Sequence, residues 1–217
     1  SSDNFASWGR GDTSYHTEGL TRLISAVDYV SLHTYPFHDT HYNSEFWEVP
    51  EAEADLPDRQ KIAAAMQRAG QYAKDQYGSV VAYLQKLGIE KPVHIGETGW
   101  SSVSGSLYGP DGSHAADEYK MKLYYDYIKD WTSKSGITCV YFSAFDEKWK
   151  DAAHPSGSEN HFGLINLQGE VKYVFWEALD NGGILQGLSR DGKVLNKTFG
   201  GDEAAMLSTV LPPVSHP

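Results

Sequence analysis

The chain has 217 residues, 29 acidic against 18 basic, for a formal charge of −11. That length suits one large domain or two small ones, and 40% hydrophobic with 22% charged residues excludes wholesale disorder. The negative balance argues against a nucleic-acid partner, the lack of an apolar run of about 18 residues against a membrane span, and the single cysteine, Cys139, against an internal disulfide or a zinc-finger framework.

In chain order, Thr17 to Ala26 reads as a short helix with Leu20, Leu23 and Ile24 on one face. Val27 to Tyr35 is β-rich and stops at Pro36. A polar, aromatic loop is expected from Pro36 to Asp55, long enough to suggest a function. Pro57 opens a long helix to about Leu87, with Ile62, Ala65, Met66, Ala69, Tyr72 and Ala73 at helical spacing and Gly88 as its stop. Lys91 to Glu97 reads as a buried strand with a polar tip, Gly105 to Gly112 as a glycine-rich loop, and Ala115 to Lys134 as a second long helix. Ile137 to Phe145 gives a third strand and Tyr173 to Leu179 a closing helix. Gly182-Gly183 marks a boundary, so a main unit is expected over 1–183 and an extension over 184–217. The extension holds a hairpin between Gly187 and Lys197, turning at Asp191-Gly192, and a short helix between Asp202 and Val210.

Strands alternating with long helices predict a parallel sheet. No G-x-G-x-x-G or G-x-x-x-x-G-K-[ST] occurs, so nucleotide cofactors have no support, and no cofactor is expected. Tyr35, Glu97 and Glu147 each fall at the end of a predicted strand. Chemistry gathered at strand C-termini favours a (β/α)₈ barrel over a doubly wound sheet, although three or four strands make about half a barrel.

Aromatic residues reach 13%, and Trp8, Tyr35, Trp47, Trp100, Tyr108 and Trp149 have polar neighbours in sequence. This pattern predicts exposed aromatic faces that suit a sugar, with its apolar C–H faces and many hydroxyls. Tyr141, Phe142, Phe175 and Trp176 lie in apolar-periodic segments and read as core.

Glu97 is the strongest candidate for chemistry, because a carboxylate ending a buried strand is costly to desolvate unless hydrogen-bonded or used. Neighbouring strands lie about 4.8 Å apart, so Glu97 and Glu147 could reach the ~5–5.5 Å carboxylate separation of retaining glycosidases and act as nucleophile and acid. Glu147 can equally belong to a surface salt-bridge cluster with Lys148 and Lys150. His33, His38 and His41 around Asp39 fit no named metal motif and read as solvated or sugar-contacting, and no metal is expected. Ser101, Ser102 and Ser104 lack a G-x-S-x-G context. Cys139 reads as inert core. Asn196-Lys197-Thr198 matches a glycosylation sequon, a pattern that occurs often by chance.

The segments DYVSLHTYPF (Asp28 to Phe37), VHIGETGWSS (Val93 to Ser102), YFSAFDEKWK (Tyr141 to Lys150) and ENHFGLINLQG (Glu159 to Gly169) resemble, in order, successive motifs of glycoside hydrolase family 17, the β-1,3-glucanase family. The resemblance runs from about Ser1 to Asn181. It implies a (β/α)₈ barrel and retaining hydrolysis of β-1,3-glucan. Glu97 then falls on the family's nucleophile at the end of strand seven, Tyr35 on the strand-six tyrosine of the cleft, and Trp100 on the signature tryptophan. Glu147, Lys150 and Glu159 match the polar, substrate-contacting cluster after strand eight, which makes Glu147 a supporting residue rather than the acid. The family's general acid lies in a Gly-Asn-Glu motif ending strand four, and this chain has no such motif. The resemblance therefore implies the second half of a barrel, strands five to eight, partnered by the missing half or by self-association. A β-glucan is the expected substrate. A β-1,3-glucanosyl transferase and a non-catalytic glucan-binding half are the alternatives. With no disulfide and a polysaccharide substrate, a bacterial extracellular or periplasmic location is expected. Ser1-Ser2-Asp3-Asn4 has neither the basic nor the apolar region of a secretory signal, so an exported parent would carry one upstream.

Overall fold

The computed structural model describes residues 2–9, 13–182, 185, 187–190 and 192–214. Its longest element follows directly from the helical spacing: α3, Asp58–Lys86, buries Ile62, Ala65, Met66, Ala69, Ala73, Val80 and Leu84 along one stripe. Small residues on that stripe let the neighbouring helix α4, Glu118–Ser135, come close. A Cβ added at Gly70 would lie 2.2 Å from the Tyr127 ring, so glycine is required there. The Asp117 side chain accepts from Lys120 N at the start of α4, and Gly136, in the left-handed conformation, ends it.

Four parallel strands form the main sheet in sequential order: β1 Ser2–Asn4, β2 Val30–His33, β3 Val93–Thr98 and β4 Cys139–Tyr141. The connections carry α1, Glu18–Ala26, then a short α2, Pro36–Tyr42, with α3, and then α4. Alternation divides the strands between two faces. Val30, Leu32, Val93 and Ile95 point into a core with Phe5, Trp8, Ile24, Val80, Tyr83 and Leu84. Ser31, His33, His94 and Val140 occupy the alternate positions, and Val140 is 57% exposed.

Three expectations need correction. Pro36 to Asp55 is not a plain loop: Pro36, with φ preset for helix, stands at the first turn of α2 as well as closing the strand, and two short 3₁₀ turns follow. The third strand stops at Tyr141, because the chain turns away after Phe142 toward Phe162; Ser143 N donates to Phe162 O. Glu147 therefore ends no strand. Of the α1 face, Ile24 is fully buried but Leu23 is 44% exposed.

The described residues from 185 onward pack back on α4 and the segment before it. After α5, Trp176–Asp180, the hairpin strands β6, Ser189–Arg190, and β7, Lys193–Val194, pair antiparallel as expected, while Asp191 of the expected turn and Gly183 lie outside the described residues. β5, Glu170–Val171, pairs in parallel with β8, Asn196–Lys197. The last helix, α6, Glu203–Leu207, buries Met206 in a small core with Val171, Trp176, Leu185 and Leu195. Farther on, Lys120 Nζ donates to Leu211 O at 2.7 Å and Val49 N to Val214 O at 2.9 Å. Among the described residues no helix is long and apolar enough to cross a membrane.

Candidate active site

The sheet's carboxyl ends gather the polar side chains. Glu97, at the penultimate position of β3, is 39% exposed at its side chain. Tyr35, two residues beyond β2, donates from Oη to Glu97 Oε2 at 2.9 Å. Burial raises the Tyr35 phenol's pKa, and the Glu97 charge raises it further, so the hydroxyl stays a donor. His33, the register partner of Glu97 on β2, places Nδ1 3.6 Å from the same Oε2. Glu97 Oε1 has no hydrogen-bond partner among the described residues.

Around this pair stands an aromatic wall. The Tyr35 ring meets Phe142 and Phe162 edge-on, at 6.4 and 5.7 Å between centroids. Lys150 Nζ lies 4.0 Å from the Phe142 centroid and 3.9 Å from Glu147 Oε2. That Glu147 oxygen is buried and makes no hydrogen bond among the described residues. On the other side, Glu159 Oε1 lies 3.5 Å from His38 Nε2, whose Nδ1 is 3.2 Å from Tyr108 Oη. Burial lowers the His38 pKa, opposed by the charges of Glu159 and Asp39.

The loop carrying Glu147 and Glu159 is held from beneath. Asp146 accepts from Gly163 N at 2.9 Å and from Lys172 Nζ at 2.7 Å, with both ion-pair side chains 3% exposed. A Cβ at Gly163 would lie 2.0 Å from Asp146 N, so only glycine admits this approach. Asn160 ties the loop's middle, accepting from Asp151 N and donating to the carbonyls of Asp151 and His154.

Of the residues singled out in the sequence, Glu97 and Tyr35 touch, and Glu147 pairs with Lys150 on the Phe142 side of the Tyr35 ring. Glu159 lies close enough to Tyr35 to raise its pKa. Trp100 does not join them. It is 0% exposed, with rings of Phe37, Tyr124 and Trp47 at 5.4, 5.0 and 5.6 Å and its Nε1 donating to Ala115 O. An indole without exposed surface cannot stack on a sugar, so its expected role as a binding face is corrected to a core role. The same correction covers Trp8, Trp47 and Tyr108, all buried; Trp149 is 69% exposed. The three histidines part company: His33 faces Glu97 and His38 faces Glu159, and among the described residues no group of three His, Cys, Asp or Glu could hold a metal. Cys139 is half-buried, and burial pushes its thiol up to about 11. His33 went unpaired with Glu97 in the sequence because 64 residues separate them; only strand register joins them.

Comparison with known proteins adds identity to this geometry. The BtgE/BtgC glycoside hydrolase domain matches residues 6–163. The crystal structure of an endo-laminarinase from Formosa Hel1_33_131 superposes with a TM-score of 0.96 at 53% sequence identity, covering 100% of this chain and 55% of that one. The glycoside hydrolase family 17 β-1,3-glucanosyltransferase from Rhizomucor miehei superposes with a TM-score of 0.51 at 21% identity, over 80% of this chain and 47% of that one, a likeness of fold. This chain thus spans about half the length of each of these structures. No curated protein matches it in sequence.

Proposed function

The chain belongs to the BtgE/BtgC glycoside hydrolase domain family, and from that premise we propose that it forms the nucleophile-bearing half of a glycoside hydrolase family 17-type barrel acting on β-1,3-glucan with retention. The observation that carries this reading is the Glu97 carboxylate near the end of β3, with Oε2 held by Tyr35 and Oε1 without a hydrogen-bond partner among the described residues. The 53% identity with the Formosa endo-laminarinase over the whole chain supports the substrate class.

In this reading Glu97 Oε1 attacks the anomeric carbon. The new C–O bond forms as the glycosidic C–O bond breaks, and a general acid protonates the departing sugar oxygen. Water, giving its proton back to the conjugate base of that acid, then takes the glycosyl group from Glu97, restoring the carboxylate and the original anomeric configuration. Tyr35 holds the charge of Oε2 without competing for protons. Glu147, Lys150 and Glu159 contact the substrate; the Lys150 ammonium is a donor and the Glu159 carboxylate an acceptor for sugar hydroxyls, while the buried Oε2 of Glu147 faces Lys150. The general acid comes from a segment outside these 217 residues, as the lack of a Gly-Asn-Glu motif suggests. On this reading the parent is exported to meet its polysaccharide.

The test is to follow laminari-oligosaccharide cleavage by the full-length enzyme with proton NMR and chromatography. Newly formed β-anomers with shorter products only are the expected result. Products longer than the substrate would make it a glucanosyl transferase, α-anomers first would exclude the retaining assignment, and binding without cleavage would leave a glucan-binding module.

A further inference from the structure

Beneath the site, on the sheet face opposite the packed helices, runs a row of small polar side chains that the chemistry above does not use. His33 Nε2 lies 2.5 Å from Ser2 Oγ on β1, and the Ser2 and Ser31 hydroxyls are 3.3 Å apart. Gly96 makes room for them, since a Cβ there would lie 2.0 Å from Ser31 Oγ and 2.8 Å from Ser2 Oγ. The imidazole is therefore gripped at Nε2 and turned so that Nδ1 faces Glu97 Oε2 at 3.6 Å.

We propose that His33 is a positioning residue for the Glu97 carboxylate: anchored through Nε2 by the Ser2 hydroxyl, it presents Nδ1–H to Oε2 and so fixes Oε1 as the oxygen that meets substrate. The assignment rests on Glu97 being the nucleophile. An ionised carboxylate only accepts hydrogen bonds, so the nitrogen facing it carries the proton; in the neutral ring the other then accepts from the Ser2 hydroxyl, whose single hydrogen turns to Nε2 at 2.5 Å instead of to Ser31 Oγ at 3.3 Å. Contact at 3.6 Å is longer than a hydrogen bond, as is common for such contacts before substrate binds, and it shortens in the complex. With Tyr35 on the same oxygen, two donors from one strand region clamp Oε2 and stop the carboxylate rotating about its last bond.

Two measurements test this, and the first needs no activity. Nitrogen-15 spectra of His33 in this chain, taken at a pH where the ring is neutral, are expected to show the Nδ1-protonated tautomer, and Ser2→Ala is expected to shift the population toward the Nε2-protonated form. An Nε2-protonated wild type, or no response to Ser2→Ala, overturns the proposal whether or not the enzyme cleaves glucan. The second is kinetic, in the full-length enzyme. Asparagine places an N–H donor where Nδ1 stands, whereas glutamine places one nearer Nε2. His33→Asn is expected to keep kcat within about threefold, and His33→Gln and His33→Ala to lose about tenfold to a hundredfold in kcat, the scale for a misplaced reacting group, with KM moving less than about twofold. Equal losses in all three, or a loss confined to KM, overturn the proposal. Wild-type protein that cleaves no glucan, with the expected tautomer shift, would instead defeat the proposed function and leave the contact standing.

Discussion

Asp117 and Asp146 have almost no exposed surface, while Glu97, Glu147 and Glu159 stand at 39%, 26% and 45% side-chain exposure. The buried pair is saturated. Asp117 meets the fully buried Lys120 and also caps α4, and Asp146 meets Lys172 and Gly163 N. Burial lowers the pKa of both lysines, and each aspartate opposes it. The other three are less enclosed: among the described residues no hydrogen bond reaches Oε1 of Glu97, Glu147 meets Lys150 at 3.9 Å, and Glu159 has His38 at 3.5 Å. A carboxylate whose lone pairs are all used by the protein holds structure, and one left short of partners on an open face is available to a ligand.

The largest effect expected from this division is on Glu97. Glu97→Gln in the full-length enzyme should lower kcat by more than about 10⁴-fold, beyond the range of acid–base assistance, while changing unfolding stability by about 1 kcal/mol or less, since one partly exposed hydrogen bond is altered. Steady-state kinetics and urea unfolding of the same variant check both halves. Asp146→Ala should behave in reverse. It strands the Lys172 charge in a site 3% exposed, and losses of about 3–5 kcal/mol follow from breaking a buried pair on one side. A stability change under about 1 kcal/mol in denaturant titration would place Asp146 among the available carboxylates.

The tryptophans divide along the same line. Trp100→Ala should destabilise the fold by about 3–5 kcal/mol, as for other large core truncations, and act on binding only through folding. Trp149→Ala, at 69% exposure, should leave stability within about 0.5 kcal/mol and weaken glucan affinity by about 1 kcal/mol if its ring stacks on sugar. Denaturation and calorimetry on the two variants would expose a reversal. The smallest effect concerns Glu118, a half-buried carboxylate whose Oε2 accepts from Tyr173 N and Thr198 Oγ1. Burial raises its pKa, against which these hydrogen bonds and Lys172 pull. An acid whose folded pKa lies above its unfolded one favours the folded state while protonated and loses that contribution as pH rises through the folded pKa. Glu118→Gln should therefore gain stability relative to wild type at neutral pH, and the gain should vanish below the carboxylate range. Melting curves across pH would show it; a variant weaker at pH 7 than at pH 4, relative to wild type, would reverse the sign.

Much of this was legible before the fold was seen. The apolar stripe of α3, the strand ending in Glu97 and the order of the four motifs are local patterns, and the strand–helix alternation follows from them. The site's donors were less legible. Tyr35 and Glu97 were legible together as strand ends, but the hydrogen bond between them was not, and His33 meets Glu97 only through the pairing of β2 with β3. Trp100 misled because its sequence neighbours are polar, whereas its burial is set by Phe37, Trp47 and Tyr124 from elsewhere in the chain. Likewise nothing local marks Lys120 and Lys172 as buried, since a lysine's environment depends on what packs over it. Pro36 carried two meanings, strand exit and helix start, and the sequence spacing favoured the first alone.

The central claim, that Glu97 is the nucleophile, is tested most directly by covalent trapping. A fluorosugar laminaribioside with a dinitrophenolate leaving group departs without a general acid and slows release of the glycosyl group, so it reports the nucleophile even where the acid is lacking. Incubated with the full-length enzyme and digested for mass spectrometry, it should label one peptide, the one that contains Glu97, and no label should form in Glu97→Gln. A label on Glu147 or Glu159, or an undiminished label in Glu97→Gln, would contradict the account.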